Sequence, residues 1–308
     1  MRGRSISEEL VITDDPVVAI VVLSWNGLKD TVECLESLQA LTYPHYRIIV
    51  VDNGSDDGSP AEIRHCFPDV TLIENGINLG FVGGNNVGMA HALEAGFPLI
   101  LLLNNDTRLA PDCLTELVAV ARSDATIGVV GPLMQREFDP EIIDMGGDFN
   151  FWTGTVNLRR VFPGQTLPPA MPIDYVWGCG FFVKAEVIRA IGMFDPRYGA
   201  YYEDGVFCLK ARACGWRTVV ATRARMWHKI GRSGEKRFLW QSWMRIRNHA
   251  LFFLQHARPI QYLSLVPSLA FYHVPMLAFR ILRLFAARKI MPRYRDRPIT
   301  LWYRRHPG

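Results

Sequence analysis

The chain has 308 residues, 49% of them apolar and 21% charged. That usage is ordinary for a globular protein and excludes a disordered chain, a collagen and a disulfide mini-protein. The net charge of +4 hides an asymmetry, because residues 245–308 hold 12 Lys and Arg against one acid, Asp296, while residues 1–244 hold 22 bases against 29 acids.

A basic, apolar tail on a mildly acidic body points to contact with an anionic surface, either membrane or nucleic acid. The six cysteines are widely spaced and form no C-x-x-C pair. Reduced thiols in a cytosolic protein fit them better than a zinc site or a disulfide framework. Between Arg4 and Pro16 there is no apolar run, so no secretory signal is expected.

Residues 17–24 form a continuous apolar run, which predicts a strand buried on both faces. Over 27–41, Val32, Leu35, Leu38 and Leu41 recur at helical spacing. Residues 46–52 read as a second strand, 61–66 as a short helix, 70–74 as a short strand, and 86–95 as a helix ended by Gly96. A third apolar strand follows over 99–103, then a helix over 111–122 with Pro111 at its start. Residues 131–175 are rich in Gly and Pro, and short strands with a loop are expected there. A strand over 175–183, helices over 184–191 and 203–214, and a strand over 218–221 complete the body. Strands alternating with helices imply an α/β fold with a mainly parallel sheet flanked by helices.

The tail contains 21 residues, 259–279, without Lys, Arg, Asp or Glu. That length could span a bilayer. However, Pro267 and Pro275 interrupt it, polar residues are scattered through it, and Arg280, Arg283, Arg288 and Lys289 follow. An interfacial or re-entrant amphipathic element is expected rather than a clean span. The plain alternative is a helix pair packed on the domain.

Ligands of open α/β sheets collect at the carboxyl ends of strands. Three strands here end in polar sequence: Ser24-Trp25-Asn26-Gly27, then Asp52-Asn53-Gly54-Ser55, then Asn104-Asn105-Asp106. Together they predict a pocket of amides and carboxylates that folding alone does not require. Asn78-Leu79-Gly80 leads into Gly83, Gly84 and Asn85, glycines that would let backbone approach a phosphate-bearing ligand. This is neither G-x-G-x-x-G nor a phosphate loop ending in Gly-Lys, so a dinucleotide fold is disfavoured. Asp106 suits Mg²⁺ or Mn²⁺, which would neutralise a diphosphate. Glu203-Asp204 opens a helix, where a carboxylate is favoured in its ionised form. His228 could complete a metal site.

Taken in order, these motifs resemble the inverting family 2 glycosyltransferases of the nucleotide-diphosphosugar fold called GT-A, most closely the bacterial rhamnosyltransferase-like subgroup. The resemblance covers about residues 17–233. It implies donor contacts from Ser24, Asn26, Asp52, Asn53, Asn78, Gly80, Gly83, Asn85, Asn104 and Asn105, with Asp52 on the base. Asn104-Asn105-Asp106 stands in place of the D-x-D motif, and its first Asp is Asn here, so metal binding rests chiefly on Asp106. Gly178, Cys179 and Gly180 resemble the acceptor-side segment. Tyr202-Glu203-Asp204 resembles the stretch carrying the catalytic base, which implies Asp204 in that role with Glu203 beside it. Val206 replaces a further Asp common in the family. His228, with Gly231 and Ser233, resembles the segment approaching metal or diphosphate.

The expectation is therefore an inverting, metal-dependent hexosyltransferase. A nucleotide-diphosphosugar would be the donor, dTDP- or UDP-linked, with the subgroup leaning towards rhamnose. The acceptor would be a glycan or polyprenyl-linked glycan of cell-surface polysaccharide synthesis. Residues 1–15 would be an N-terminal extension, 16–244 the GT-A domain, and 245–308 a helical tail. That tail, which carries no recognised catalytic motif, would hold the enzyme peripherally or monotopically on the cytoplasmic membrane face, with no nucleic acid as partner. Rival readings are a non-catalytic scaffold of the same fold and a nucleotidyltransferase. Ser24-Trp25-Asn26-Gly27 lacks the basic glycine-rich loop of the latter.

Overall fold

The computed structural model describes residues 15–137, 139–162, 164–229 and 238–273, and beyond these 275, 276, 279 and 282. The expected N-terminal extension before Asp15, the pair Gly231 and Ser233, and the basic cluster from Arg283 onwards lie outside the described residues.

The first half alternates β1 (Val18–Ser24), α1 (Leu28–Gln39), β2 (Tyr46–Asp52), α2 (Ser59–Cys66), β3 (Thr71–Glu74), α3 (Gly80–Glu94) and β4 (Leu99–Asn104). β3, β2, β1 and β4 lie side by side and parallel. Then come β5 (Thr107–Leu109), α4 (Cys113–Ser123), β6 (Ile127–Arg136), β7 (Asp139–Asn150), β8 (Thr155–Val161) and β9 (Ala170–Pro172). β10 (Gly180–Lys184), α5 (Ala185–Ile191), α6 (Glu203–Ala213) and β11 (Arg217–His228) complete the body. The main sheet runs β3-β2-β1-β4-β10-β6-β11-β5. Within that path β10 and β5 run against the other strands, so the central sheet is mostly parallel.

Both faces of β1 are buried, as its unbroken apolar run requires. Val18, Ile20 and Val22 pack with α1 and α4 through Leu35, Leu38, Leu114 and Leu117. Ala19, Val21 and Leu23 pack on the other face with α3, α5 and α6 through Met89, Ala92, Val187 and Phe207.

Several expectations change. The helix expected over 86–95 starts at Gly80, so Gly83 and Gly84 lie inside α3 rather than in a loop before it. The cause is close packing: a Cβ on Gly88 would overlap Val21, and one on Gly84 would overlap Leu23. The strand expected over 175–183 shrinks to β10. Before it, Tyr175 only bridges Gly147, and the Trp177 carbonyl accepts the Gly180 amide in a turn. The irregular middle is ordered by pairing that is remote in sequence. β7 and β8 form a long antiparallel ribbon, with a register shift between Asp144 and Gly146. Gly146 has φ +114°, and a Cβ there would strike the Tyr175 carbonyl. β11 reaches His228 rather than ending at Ala221.

The boundary expected at 244/245 falls inside α7 (Phe238–His256). A 3₁₀ turn at Pro259–Gln261, α8 (Tyr262–Ser268) and a π turn at Leu269–His273 follow. Phe252, Phe253, Leu265 and Leu269 form a third core with Tyr198 and Val206, and Phe149 and Phe151 of the β7–β8 ribbon pack against it. Phe252 and Phe253 are fully buried, and each contributes about 1.5–3 kcal/mol to docking α7 on the body. Among the described residues no helix is long and apolar enough to cross a membrane.

Candidate active site

A cavity of about 760 Å³ opens where the carboxyl ends of β1, β2 and β4 meet the starts of α3 and α6 and the end of β11. Among the expected residues, Asn53, Asn78, Gly80, Asn104, Asn105, Asp106, Gly178, Cys179, Glu203, Asp204 and His228 line it. Ser24, Asn26, Asp52, Gly83, Asn85 and Gly180 do not.

Those six act on the walls. The buried Ser24 hydroxyl shares a hydrogen bond with Thr31 at 3.1 Å. Asn26, at φ +47°, donates its amide to Ser55 Oγ and accepts the Asp56 amide on Oδ1, both at 2.9 Å. Asp52 Oδ2 accepts the Gly54 and Ser55 amides at 3.0 and 2.9 Å, while its Oδ1 is buried without a hydrogen-bond partner. Asn85 is turned into α3, donating to the Phe81 carbonyl at 3.0 Å. Gly83 faces Leu79, and Gly180 faces Met226. Asp57 ties the first two loops together, accepting the Gly27 and Leu28 amides at 2.6 and 3.0 Å. Burial opposes its charge, but these bonds and those from Ser59 outweigh it and hold the carboxyl near 2.

The amide wall is continuous. Asn53 donates to the Gly80 carbonyl at 3.0 Å and accepts from Asn75 at 2.9 Å, and Asn78 Oδ1 accepts the Gly80 amide at 2.8 Å. Asn105 donates to Thr31 Oγ1 at 2.9 Å.

Asp106 and His228 meet at the end of β11. His228 Nε2 lies 3.1 Å from Asp106 Oδ1, and both side chains are largely buried. Burial opposes the charge on Asp106, but His228 and Lys229 overcome it and lower the carboxyl. Burial likewise opposes protonation of His228, but the neighbouring Cys179 and Asp106 outweigh it. An oxygen and an imidazole nitrogen at this separation suit a divalent cation, with its remaining positions left to diphosphate and water. Among the described residues no third His, Cys, Asp or Glu joins them in a metal-binding group. Next in the chain, Lys229 is neutralised by Asp30 at 2.6 Å and Glu33 at 2.5 Å.

Glu203 and Asp204 enter from the start of α6. Tyr201 and Tyr202 just before them have φ +68° and +74°, left-handed conformations that side chains other than glycine rarely adopt. Asp204 Oδ2 accepts the Gly178 amide at 3.0 Å, and Oδ1 accepts the Gly205 amide at 2.7 Å. Glu203 Oε2 is buried without a hydrogen-bond partner. The helix terminus was expected to favour both charges, but burial dominates. It raises Asp204 to about 6 against the two amides, and it raises Glu203 well above the carboxylate range with help from the Asp204 charge. Burial thus makes both carboxyls hold a proton more tightly than exposed ones do.

Sequence reasoning missed much of the opposite wall. Phe149, Tyr175 and Trp177 line it, together with Asp144, which is fully buried and bound to Arg136 at 2.7 Å and Arg160 at 3.3 Å. From α7, Trp240, Gln241, Arg245 and His249 also line the cavity. Gln241, Arg245 and His249 are four residues apart, one face of a helix, and that spacing was the available signal.

Residues 19–192 match the family described as Glycosyl transferase family 2. The chain is 26% identical over 238 residues to the N-acetylglucosaminyl-diphospho-decaprenol L-rhamnosyltransferase of Mycobacterium tuberculosis, covering 69% of this chain and 76% of that one. It is 24% identical over 199 residues to the low-salt glycan biosynthesis hexosyltransferase Agl10 of Haloferax volcanii, covering 63% and 61%. Among solved structures, the mannosyltransferase PcManGT of Pyrobaculum calidifontis, in complex with GDP-Man and Mn²⁺, superposes with TM-score 0.60 at 20% identity, over 89% of this chain and 76% of that one. GalNAc-T7 with UDP, GalNAc and Mn²⁺ superposes with TM-score 0.56 at 16% identity, over 70% and 44%. These likenesses show a GT-A-like α/β fold.

Proposed function

The chain belongs to glycosyl transferase family 2, and we propose that it transfers a sugar, with inversion, from a nucleotide-diphosphate donor to a hydroxyl of a lipid-linked glycan. The observation that carries this reading is the placement of two acidic centres in one cavity: Asp106 with His228, and Glu203 with Asp204. The first suits a diphosphate-bound cation, the second a proton acceptor.

The chain's own groups have few tasks. Asn53, Asn78 and Gly80 form the wall that would receive the nucleoside, and Asp52 shapes the turn behind it by accepting the Gly54 and Ser55 amides. Asp106 and His228 would hold Mg²⁺ or Mn²⁺, which supplies neutralisation of the diphosphate charge. Asp204 takes the proton from the acceptor hydroxyl while that oxygen attacks the anomeric carbon, and the nucleoside diphosphate departs on the far side. Its raised pKa, about 6, leaves it ionised at neutral pH yet more basic than an exposed carboxylate.

The rhamnosyltransferase relative favours rhamnose as the sugar transferred and a polyprenyl-diphosphate sugar as acceptor. The Mn²⁺ complexes of the structural relatives support a divalent cation. The basic tail supports work at the cytoplasmic membrane face, as do the exposed Trp243, Leu263 and Phe271. The test is a panel of nucleotide sugars offered to purified protein with Mg²⁺ or Mn²⁺ and a lipid-linked acceptor. Transfer from at least one donor is expected. No transfer and no hydrolysis with any of them would overturn the reading.

A further inference from the structure

We propose that Arg245 is the binding site for the diphosphate of a lipid-linked acceptor, at the mouth of the cavity on the side of the base; this rests on the glycosyl-transfer reading above.

The acceptor must approach Asp204, because its hydroxyl gives up a proton there. An acceptor carrying a diphosphate brings negative charge towards an ionised, buried carboxylate, so a cation is needed on that side. Two guanidinium groups line the cavity, Arg136 and Arg245. Arg136 is already neutralised by the buried Asp144. Among the described residues no carboxylate pairs with Arg245. Its guanidinium lies 4.5 Å from the centre of the Tyr201 ring, and Nη2 reaches the Tyr201 hydroxyl at 3.4 Å. Stacking on an aromatic face fixes the plane of the group while leaving most of its N–H donors available. Tyr201 stands two residues before Glu203, so the cation is held by the same segment that delivers the base.

The surroundings suit a sugar-diphosphate-lipid. Gln241 and His249 share the cavity-lining face of α7 with Arg245, giving hydrogen-bonding groups on either side of it. Trp240 lines the cavity yet is 47% exposed, and Trp243, one turn further along α7, is 61% exposed, so this helix presents apolar rings that a lipid chain could cover. An anion bound at Arg245 would have its lipid on these rings and its sugar towards Asp204. The same helix that reads as tail in the sequence would then select the acceptor.

The test uses the full chain in nonionic detergent with a chelator present. Asp106 and His228 then hold no divalent ion, and the micelle offers no anionic headgroup. A farnesyl-diphosphoryl sugar and the farnesyl glycoside of the same sugar are titrated while tryptophan fluorescence is followed. The diphosphoryl ligand is expected to bind at least about ten-fold more tightly, the size of one charge-assisted hydrogen bond. Arg245→Ala should remove most of that preference, and Arg245→Lys should keep part of it, since an ammonium supplies charge without the planar fork. Arg245 is exposed, so the core is untouched by either change. A wild type without the preference, or an Arg245→Ala protein that keeps it, overturns the assignment. Phosphatidylglycerol vesicles separate the other source of phosphate. If Arg245→Ala weakens co-sedimentation with them but leaves the ligand preference intact, the guanidinium reads membrane headgroups and the acceptor assignment is overturned. Failure of the glycosyl-transfer reading shows independently, as absence of transfer from every donor.

Discussion

Asp204 accepts the backbone amide of Gly178 at 3.0 Å, which ties the first turn of α6 to the bend that leads into β10. The carboxylate is held by two backbone amides, so its position is set by main chain. Asp204→Asn keeps the shape but cannot accept a proton. Transfer should fall by about 10²–10⁴-fold, the usual size of a general-base contribution, with donor affinity largely kept. Glu203→Gln should cost far less, because Glu203 Oε2 is buried without a hydrogen-bond partner and both burial and the Asp204 charge favour its protonated form. Parallel turnover assays and donor titrations on the two variants check this, and equal losses would contradict the division of roles.

The same burial predicts a pH dependence. Turnover should decline below about pH 6 as Asp204 takes up a proton, with the apparent value belonging to the Glu203–Asp204 pair. Stability should move the other way. Asp204 is raised from 3.8 to about 6, so between those values the folded chain binds more protons than the unfolded one. Its contribution is fully present below 3.8 and is lost as pH rises through about 6. Denaturant midpoints measured across pH 4–7 should show that component in the wild type and lack it in Asp204→Asn.

Much of the proposed donor half was legible because physics there is local. The apolar runs of β1, β2 and β4 could be buried only as central strands, and their polar endings mark the carboxyl edge. The acceptor half was not legible in the same way. β7 carries Asp144, Gly146 and Gly147, an unlikely strand by composition, and is held by a buried ion pair and by β8. Nothing local marks Tyr201 and Tyr202 for left-handed backbone, and the Tyr201 carbonyl is met from a distance by Asn248 of α7. Arg245 and Arg247 read as solvent- or lipid-facing charge, and only the docked helix shows one of them at the cavity. The start of α3 was misplaced for a third reason. Its glycines signal close packing on β1 rather than a flexible loop.

That packing predicts a stability effect. A Cβ on Gly88 would overlap Val21 Cγ1 and lie 3.1 Å from Val51 Cγ2, both fully buried side chains. Gly88→Ala would gain helix propensity, but overpacking of this kind costs about 1–3 kcal/mol and should win. The expected result is a lower melting temperature. An unchanged or higher value would mean that α3 can lift from the sheet freely.

The proposed cation site predicts a paired result. Asp106 would supply its only carboxylate oxygen among the described residues, beside His228 at 3.1 Å. Chelation should abolish wild-type transfer, and Mn²⁺ should restore it. Asp106→Ala should lose at least about 10²-fold, in line with several kcal/mol of charge stabilisation, and Mn²⁺ should not rescue it. Rescue of the variant to wild-type rates would place the cation elsewhere.

Asn248 links the tail to the chemistry. Its buried side-chain amide donates to the carbonyls of Tyr198 and Ala200, both at 2.7 Å, and of Tyr201 at 3.1 Å. Those carbonyls belong to the loop that delivers Tyr202, Glu203 and Asp204 into the cavity. Asn248→Ala leaves buried acceptors unmet, which costs about 1–3 kcal/mol. Asn248→Asp presents a carboxylate to carbonyl oxygens and should be worse. The loop should then relax from its left-handed conformation at Tyr201 and Tyr202 and move the base. Turnover is expected to drop well below what the unfolded fraction at the assay temperature accounts for, while donor affinity falls less, because Asn53, Asn75 and Asn78 bond to one another's segments and to Gly80 rather than to this loop. A variant whose turnover tracks its folded fraction alone would show that Asn248 stabilises the chain without placing Asp204.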